Sequence, residues 1–470
     1  MKNVSVIFTK EKKAPFALLS SEQNGLLQQQ LNHSSVEMKK GFVEVLKQGE
    51  SPMICVKIGE KAGKDGLQKI GGSVIKTVFG LGKKDGDFSV CIQMDTSVPS
   101  EDVFFIEKGL LLAKDAYRTL HEKQKHGTVV IEGVVSENVE SIVAAMELTR
   151  DLISLPSNIM TPDVFEARAE EVAKNDKNIS YSILRKKDLE KENMNMHIAV
   201  CAASPNEPRV TILDYCPKGA EKDEPIVLVG KGLMYDSGGL YAKPAPFMNE
   251  MYADMGGAAT VIGIMSGLSA LGIKKRVVGL CGVAENLIDG ESYRNGDILT
   301  SRKGLTVEVA HTDAEGRLVL ADVLSYAADT YKPSLLLDYA TLTGACLMAV
   351  GENYTAVFSD SEELIAEFSA IGKEVNDKLW ALPFDDDIKE NVKSKVADLT
   401  NTATTLGRML GASTAAAFIS NFVPDTKKWM HFDIAGSAMR TVLRKDYDYQ
   451  KLTGTGSMVH TTLVYLQKQS

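Results

Sequence analysis

Apolar and polar positions follow two different periods along this chain. Short runs of strand character at 4–8, 53–58, 89–94 and 128–134 predict β-strands, and the amphipathic stretches 103–124 and 138–152 predict helices. Gly71-Gly72 and Gly80-Leu81-Gly82-Lys83-Lys84-Asp85-Gly86 predict loops. Residues 1 to about 145 thus read as an α/β region with no evident chemistry. Pro156-Ser157-Asn158 and Thr161-Pro162 break the second helix, and Thr161 is placed to cap the next. A boundary is expected near 150–165, giving a smaller N-terminal α/β domain at 1–150 and a larger C-terminal domain at 151–470. In the latter, the strand 226–229, the helix 257–271 and the strand 276–281 restart the alternation. That pattern predicts an α/β fold with a mostly parallel mixed sheet flanked by helices.

Composition changes the picture little. The 470 residues are 44% hydrophobic and 24% charged, the balance of a chain that buries a large core in two domains. With 62 acidic and 53 basic residues the net charge is -9, which disfavours a nucleic-acid-coating role. Cys55, Cys91, Cys201, Cys216, Cys281 and Cys346 form no C-x-x-C pair and read as reduced, buried thiols of a cytosolic protein. The first apolar stretch is too short for a signal peptide, and no run of 18 apolar residues suggests a membrane span. The dinucleotide, phosphate-loop and serine-hydrolase glycine motifs are absent. His121 and His126 are five apart, so they do not form the zinc-protease pair and read as a solvated helix end.

Two segments concentrate chemistry. One runs Gly230-Lys231-Gly232-Leu233-Met234-Tyr235-Asp236-Ser237-Gly238-Gly239-Leu240-Tyr241-Ala242-Lys243-Pro244 and continues to Ala253-Asp254-Met255-Gly256-Gly257. The other is His311-Thr312-Asp313-Ala314-Glu315-Gly316-Arg317-Leu318. The strand 226–229 is expected to end in glycines and deliver Lys231 and Asp236 at its carboxyl end, where open α/β sheets bind ligands. Asp313 and Glu315, two apart, can point to one side of an extended backbone. Taken singly, Asp254 and Asp313 read as helix N-caps, Lys231 and Lys243 as surface charges, and Arg317 as an ion-pair residue. Taken together, Asp236, Asp254, Asp313 and Glu315 would repel in a crevice unless cations met them. Two divalent ions would neutralise the four charges, and oxygen ligands leave zinc, manganese, magnesium and cobalt all open.

These segments resemble the signatures of the cytosolic leucine aminopeptidase family, the dinuclear-zinc peptidases. The likeness also takes in Gly296-Asp297, Asp338-Tyr339-Ala340-Thr341-Leu342-Thr343-Gly344-Ala345 and Trp429-Met430-His431-Phe432-Asp433-Ile434-Ala435-Gly436. The resemblance implies an aminopeptidase that removes the first, leucine-like residue of peptides by means of a hydroxide held between two metals. It implies Asp236 and Glu315 as bridging ligands, Lys231 and Asp254 as ligands of one metal, and Asp313 of the other. Lys243 would polarise the substrate carbonyl and Arg317 would hold a bicarbonate. Met251, Thr341, Leu342 (through its backbone), Gly344 and Ala435 would line the pocket for the first side chain. A homohexamer is also implied. His311 departs from the family's usual Asn, which implies either a change in what surrounds the metal ligands or, the favoured reading, packing in the core; Asn295 stands where the family has Pro. A nucleic-acid-binding role beside catalysis, a catalytically inactive structural protein and a metal-dependent phosphoesterase are the competing readings.

Overall fold

The computed structural model describes residues 2–9, 43–46, 53–58, 62–80, 87–94, 96–114, 129–403, 409–424, 428–440 and 454–470. They gather into two compact units, one within 1–143 and the other within 144–441 and 452–470.

The first unit holds β1 (Lys2–Thr9), β2 (Val43–Leu46), β3 (Met53–Lys57), β4 (Phe88–Met94) and β5 (Val129–Glu132) in the order β2-β3-β1-β4-β5. All neighbours are parallel except β2 and β3. Two helices, α1 (Lys64–Gly80) and α2 (Ser100–Lys114), pack together. Gly71 and Gly72 lie inside α1 and not in a loop. A Cβ at Gly71 would sit 2.7 Å from Leu110 N, and one at Gly109 would sit 2.8 Å from Gln68 Cα. The glycines therefore serve close helix packing, a demand that looks like a turn when read locally. The expected loop at 81–86, the end of the expected helix 103–124 and His121 to His126 lie outside the described residues.

The second unit contributes β6 (Ile179–Leu184), β7 (Arg209–Tyr215), β8 (Ile226–Asp236), β9 (Val277–Asn286), β10 (Ile298–Thr300), β11 (Thr306–Glu308), β12 (Leu335–Ala340), β13 (Thr355–Phe358), β14 (Leu379–Ala381), β15 (Leu399–Thr400) and β16 (Lys428–Asp433). Eight of them form one mixed sheet, ordered β14-β13-β16-β12-β8-β9-β7-β6. The central run β16-β12-β8-β9 is parallel; β13 joins β16, and β7 joins β9 and β6, antiparallel. Helices α3 (Gly256–Gly267) and α4 (Gly316–Tyr331) pack against β8. Leu318, Val319 and Leu320 of α4 join Val227, Val229, Leu336 and Trp429 in one apolar core. Thr161 caps the helix Pro162–Asn175, its Oγ1 accepting from Val164 N at 3.3 Å.

β8 positions the chemistry, and it is longer than its apolar run. It does not end at Gly230 but continues to Asp236, with a register shift against β9 between Leu233 and Tyr235. A Cβ on Gly230 would fall 2.6 Å from Ala258 Cα, and one on Gly232 would fall 2.8 Å from Gly282 O. These glycines make room for α3 and β9 and do not turn the chain. From β8 the chain passes through α3 to β9 on one side and later through α4 to β12 on the other. The strand order thus reverses at β8, and a crevice is expected at the carboxyl ends of β8 and β12. Among the described residues no helix is long and apolar enough to cross a membrane. Cys91, Cys201, Cys216, Cys281 and Cys346 are free; Cys91 and Cys216 are half-buried where burial was expected.

Candidate active site

Lys231 rises from within β8 and is 2% exposed. Its Nζ donates to Asp254 Oδ1 and to Thr341 O, both at 2.9 Å, and pairs with Glu315 Oε1 at 2.9 Å. Asp254 closes the 3-10 turn Met251–Ala253 and precedes α3, but its side chain does not cap that helix: Met255 holds the N-cap position without a side-chain bond. Asp254 Oδ1 instead accepts from Lys231 and from Thr341 Oγ1 (2.7 Å).

Asp236 ends β8. Its Oδ1 accepts from Asn286 Nδ2 (2.8 Å) and Gly238 N (2.9 Å), and its Oδ2 pairs with Lys243 Nζ at 2.7 Å. Lys243 Nζ also pairs with Asp313. Gly238 and Gly239, at φ +88° and +63°, turn the chain so that Lys243 N bonds back to Ser237 O at 3.0 Å.

Asp313 and Glu315 sit on a turn rather than an extended segment. Asp313 N donates to His311 Nδ1 (3.1 Å), Ala314 N donates to His311 O (3.1 Å), and Glu315 already has helical angles. The turn still achieves the expected gathering, since Asp236, Asp313 and Glu315 offer oxygens within 4.8 Å of one another. Neither Asp313 nor Glu315 caps α4 with its side chain.

The electrostatics carry an excess of negative charge. Four carboxylates meet the two ammonium groups of Lys231 and Lys243. Burial alone would lower both lysines, yet the surrounding carboxylates, led by Asp254 for Lys231 and by Asp236 for Lys243, hold them above their ordinary value. Burial, reinforced by neighbouring carboxylates, raises Asp254 and Asp313 as well. All four shifts favour taking up positive charge. Glu315 Oε2 is buried with no hydrogen-bond partner. Carboxylate oxygens in excess, an orphaned acceptor and a nearby amine form a donor set that fits divalent cations.

Arg317 is buried in the first turn of α4, where its Nη1 donates to Asn401 O at 2.6 Å and its Nε has no hydrogen-bond partner. Burial lowers this guanidinium to about 10, partly offset by Glu315 and Asp433. Thr341 lies in the lysine cluster. Leu342 N and Ala435 N converge on Asp433 Oδ1 at 3.2 and 3.1 Å. Met251 opens the 3-10 turn before Asp254, and Gly344 opens the helix Gly344–Val350, with open space where its Cβ would be. Met251 O accepts from Asp254 N at 3.4 Å.

His311 is not a core residue. It is half-buried, its ring lies 3.8 Å from that of Tyr241, and Asn401 holds its backbone. Sequence reasoning also missed three buried anchors. Asn286 ties Asp236 to Thr312 O, Asn401 binds the 310–314 turn and Arg317, and Asp433 accepts from Leu342 N, Thr343 Oγ1 and Ala435 N. Asp433 stood within a recognised segment; Asn286 and Asn401 carried no signal.

The model of the cytosol aminopeptidase family, catalytic domain, matches residues 147–463. The chain belongs to the cytosol aminopeptidase family. It is a metal-dependent aminopeptidase, and therefore a hydrolase. Among curated relatives, a probable cytosol aminopeptidase of Mannheimia succiniciproducens is 34% identical over 452 residues, covering 92% of this chain and 91% of that protein. Among solved structures, a tomato leucine aminopeptidase variant is 28% identical with a TM-score of 0.83, covering 99% of this chain and 94% of that one. The bottromycin maturation enzyme BotP in complex with Mn is 27% identical with a TM-score of 0.84, covering 100% and 99%.

Proposed function

We propose that this aminopeptidase removes leucine-like apolar residues from peptide N-termini, using two divalent cations held by Lys231, Asp236, Asp254, Asp313 and Glu315. The observation that carries the reading is the buried excess of carboxylate over ammonium charge at the carboxyl end of β8. Bound there, divalent cations would supply Lewis acidity toward a carbonyl and acidify a water molecule. Asp236 and Glu315 would serve both cations, Lys231 and Asp254 one of them, and Asp313 the other. As a ligand Lys231 would have to be neutral, and cations replacing the ammonium charge among these carboxylates would favour loss of its proton. Zinc or manganese is favoured, the latter by the manganese in the BotP complex, with magnesium or cobalt as further candidates.

The residues then divide the work. Lys243 donates from Nζ to the substrate carbonyl oxygen and steadies the negative charge that develops on it. Arg317, at the start of a 16-residue helix, suits an anion such as bicarbonate, because helix N-termini favour negative charge. Met251, Thr341, the Leu342 backbone, Gly344 and Ala435 surround the first side chain, and their mainly apolar character favours leucine over a charged residue that would find no partner. The catalytic domain is assigned to 151–470, the assembly to a homohexamer and the location to the cytoplasm. Hydrolysis of leucine p-nitroanilide should vanish on chelation and return with zinc, manganese or cobalt. Full activity in a sample shown to be metal-free, or a kcat/KM favouring glutamate over leucine p-nitroanilide, would overturn the corresponding part.

A further inference from the structure

The loop that carries Lys243 is tied at its base to Asn286, through Ser237, and further out to Thr312, in the segment around His311. Thr312 Oγ1 accepts from Tyr241 N and donates to Gly238 O, both at 2.8 Å. Beyond these bonds the loop projects outward: Leu240 is 48% and Tyr241 55% exposed. An exposed tyrosine in a glycine-turned loop would ordinarily sample several rotamers, and the backbone leading to Lys243 would move with it.

Here the Tyr241 ring instead rests on the His311 imidazole, with centroids 3.8 Å apart and planes at 39°. His311 is itself held by three hydrogen bonds, two of them to Asn401. Its N donates to Asn401 Oδ1 (3.1 Å), its O accepts from Asn401 Nδ2 (2.7 Å), and its Nδ1 accepts from Asp313 N (3.1 Å). A backbone N–H can only donate, so Nδ1 is unprotonated and the ring has one defined tautomer and orientation. The bond from Asp313 N to a side-chain acceptor two residues earlier is the bond an asparagine would make in an Asx-turn. Histidine at 311 therefore keeps the turn that an asparagine would form and adds an aromatic face.

We propose that His311 is a positioning residue for Lys243, acting through Tyr241: the imidazole–phenol stack clamps the 240–243 loop so that Nζ of Lys243 is held over the reacting centre. The inference rests on the reading of Lys243 as the carbonyl donor. Lys243 pairs with Asp236 and Asp313, which are on opposite sides of the loop's base in sequence, and the clamp fixes the segment between the two glycines and this bifurcated contact. His311 touches no reacting atom in this scheme and takes no part in proton transfer.

Two measurements test it. The first is hydrogen exchange of peptides covering 238–248 in the metal-free protein, which needs no activity. Tyr241→Ala and His311→Asn should each speed exchange there, while Tyr241→Phe should leave it at the wild-type rate. The second is kinetic. An aromatic pair of this kind makes a difference of roughly 2- to 10-fold, so kcat on leucine p-nitroanilide should fall by that factor in Tyr241→Ala and His311→Asn with KM little changed. In a Lys243→Ala background the same substitutions should have no further effect on kcat, because the group being positioned is gone. A clamp of no consequence would leave exchange at 238–248 unchanged in both variants. A role unrelated to Lys243 would give full, multiplicative losses in the Lys243→Ala background. Either result overturns the proposal. Absence of aminopeptidase activity in the wild-type holoenzyme would instead refute the assigned function, and the exchange measurement would still decide whether the clamp exists.

Discussion

Gly316 offers the most exacting test of how Lys231 is held. By helix propensity alone, alanine at this first residue of α4 would stabilise the protein by roughly 0.5–1 kcal/mol. The site predicts the opposite. A Cβ at 316 would lie 2.6 Å from Lys231 Nζ and 2.7 Å from its Cδ, with Cε closer still. Ordinary contact distances are about 3.5–4.0 Å, so the lysine would have to retreat by about 1 Å. A free lysine would do so at little cost. This one is bound to Asp254, Thr341 O and Glu315 at 2.9 Å each, and a shift of that size cannot preserve all three. Overpacking of this kind costs about 1–3 kcal/mol, which outweighs the propensity gain. The expected net destabilisation is about 1–2 kcal/mol, a few degrees in Tm. The consequence for turnover should be larger, because a misplacement of about 1 Å at a reacting centre can cost about 100-fold. Thermal unfolding of metal-free Gly316→Ala, its cation content after reconstitution, and its kcat on leucine p-nitroanilide measure the three effects. A variant with raised Tm, wild-type cation content and wild-type kcat would refute the reasoning, since Lys231 would then not be pinned beside Gly316.

Three further outcomes follow, two from the site and one from a buried histidine outside it. Lys243→Ala should lower kcat by about 100-fold or more while keeping its cations, as loss of an oxyanion donor does; a variant that lost its cations would make Lys243 a ligand. Arg317→Ala should slow turnover less and remove any stimulation by bicarbonate, and unchanged kinetics at every bicarbonate level would reject an anion role. Burial pushes His197 down to about 4, below an unfolded value near 6.5, so its contribution is fully present above about pH 6.5 and is lost as pH falls toward 4, by roughly 3 kcal/mol. Denaturant unfolding of His197→Gln should show a shallower loss across that window, and an identical slope would refute it.

The fold class and the gathering of charges were legible in different degrees for physical reasons. Alternation of strand and helix patterns sufficed for the α/β class, because each pattern reflects a face that has to be buried. The end of β8 was not legible. Gly230 and Gly232 look like punctuation, yet their missing side chains are required by Ala258 and by Gly282 O, from segments that follow later in the chain. Gly71 misled for the same reason. A glycine demanded by φ and a glycine demanded by a neighbour's backbone carry the same letter.

The charged residues show where local reading stops. Thr161, Thr343 and Ser361 precede helices and cap them, whereas Asp254 and Asp313 precede helices and do not. Nothing within a few residues separates the two groups. The separation is made by Lys231, 23 positions before Asp254, and by Lys243, in a different loop from Asp313. Each lysine draws a carboxylate away from the helix end it would otherwise satisfy. Asn286, Asn401 and Asp433 are further from view, because each takes backbone groups among its partners and any residue type supplies those. Asn401 reaches the 310–314 turn across 90 positions and Asp433 reaches Leu342 across 91. Residues whose own charge does the work announce themselves by type and crowding; residues that hold a neighbour's backbone in place announce nothing until the chain is folded.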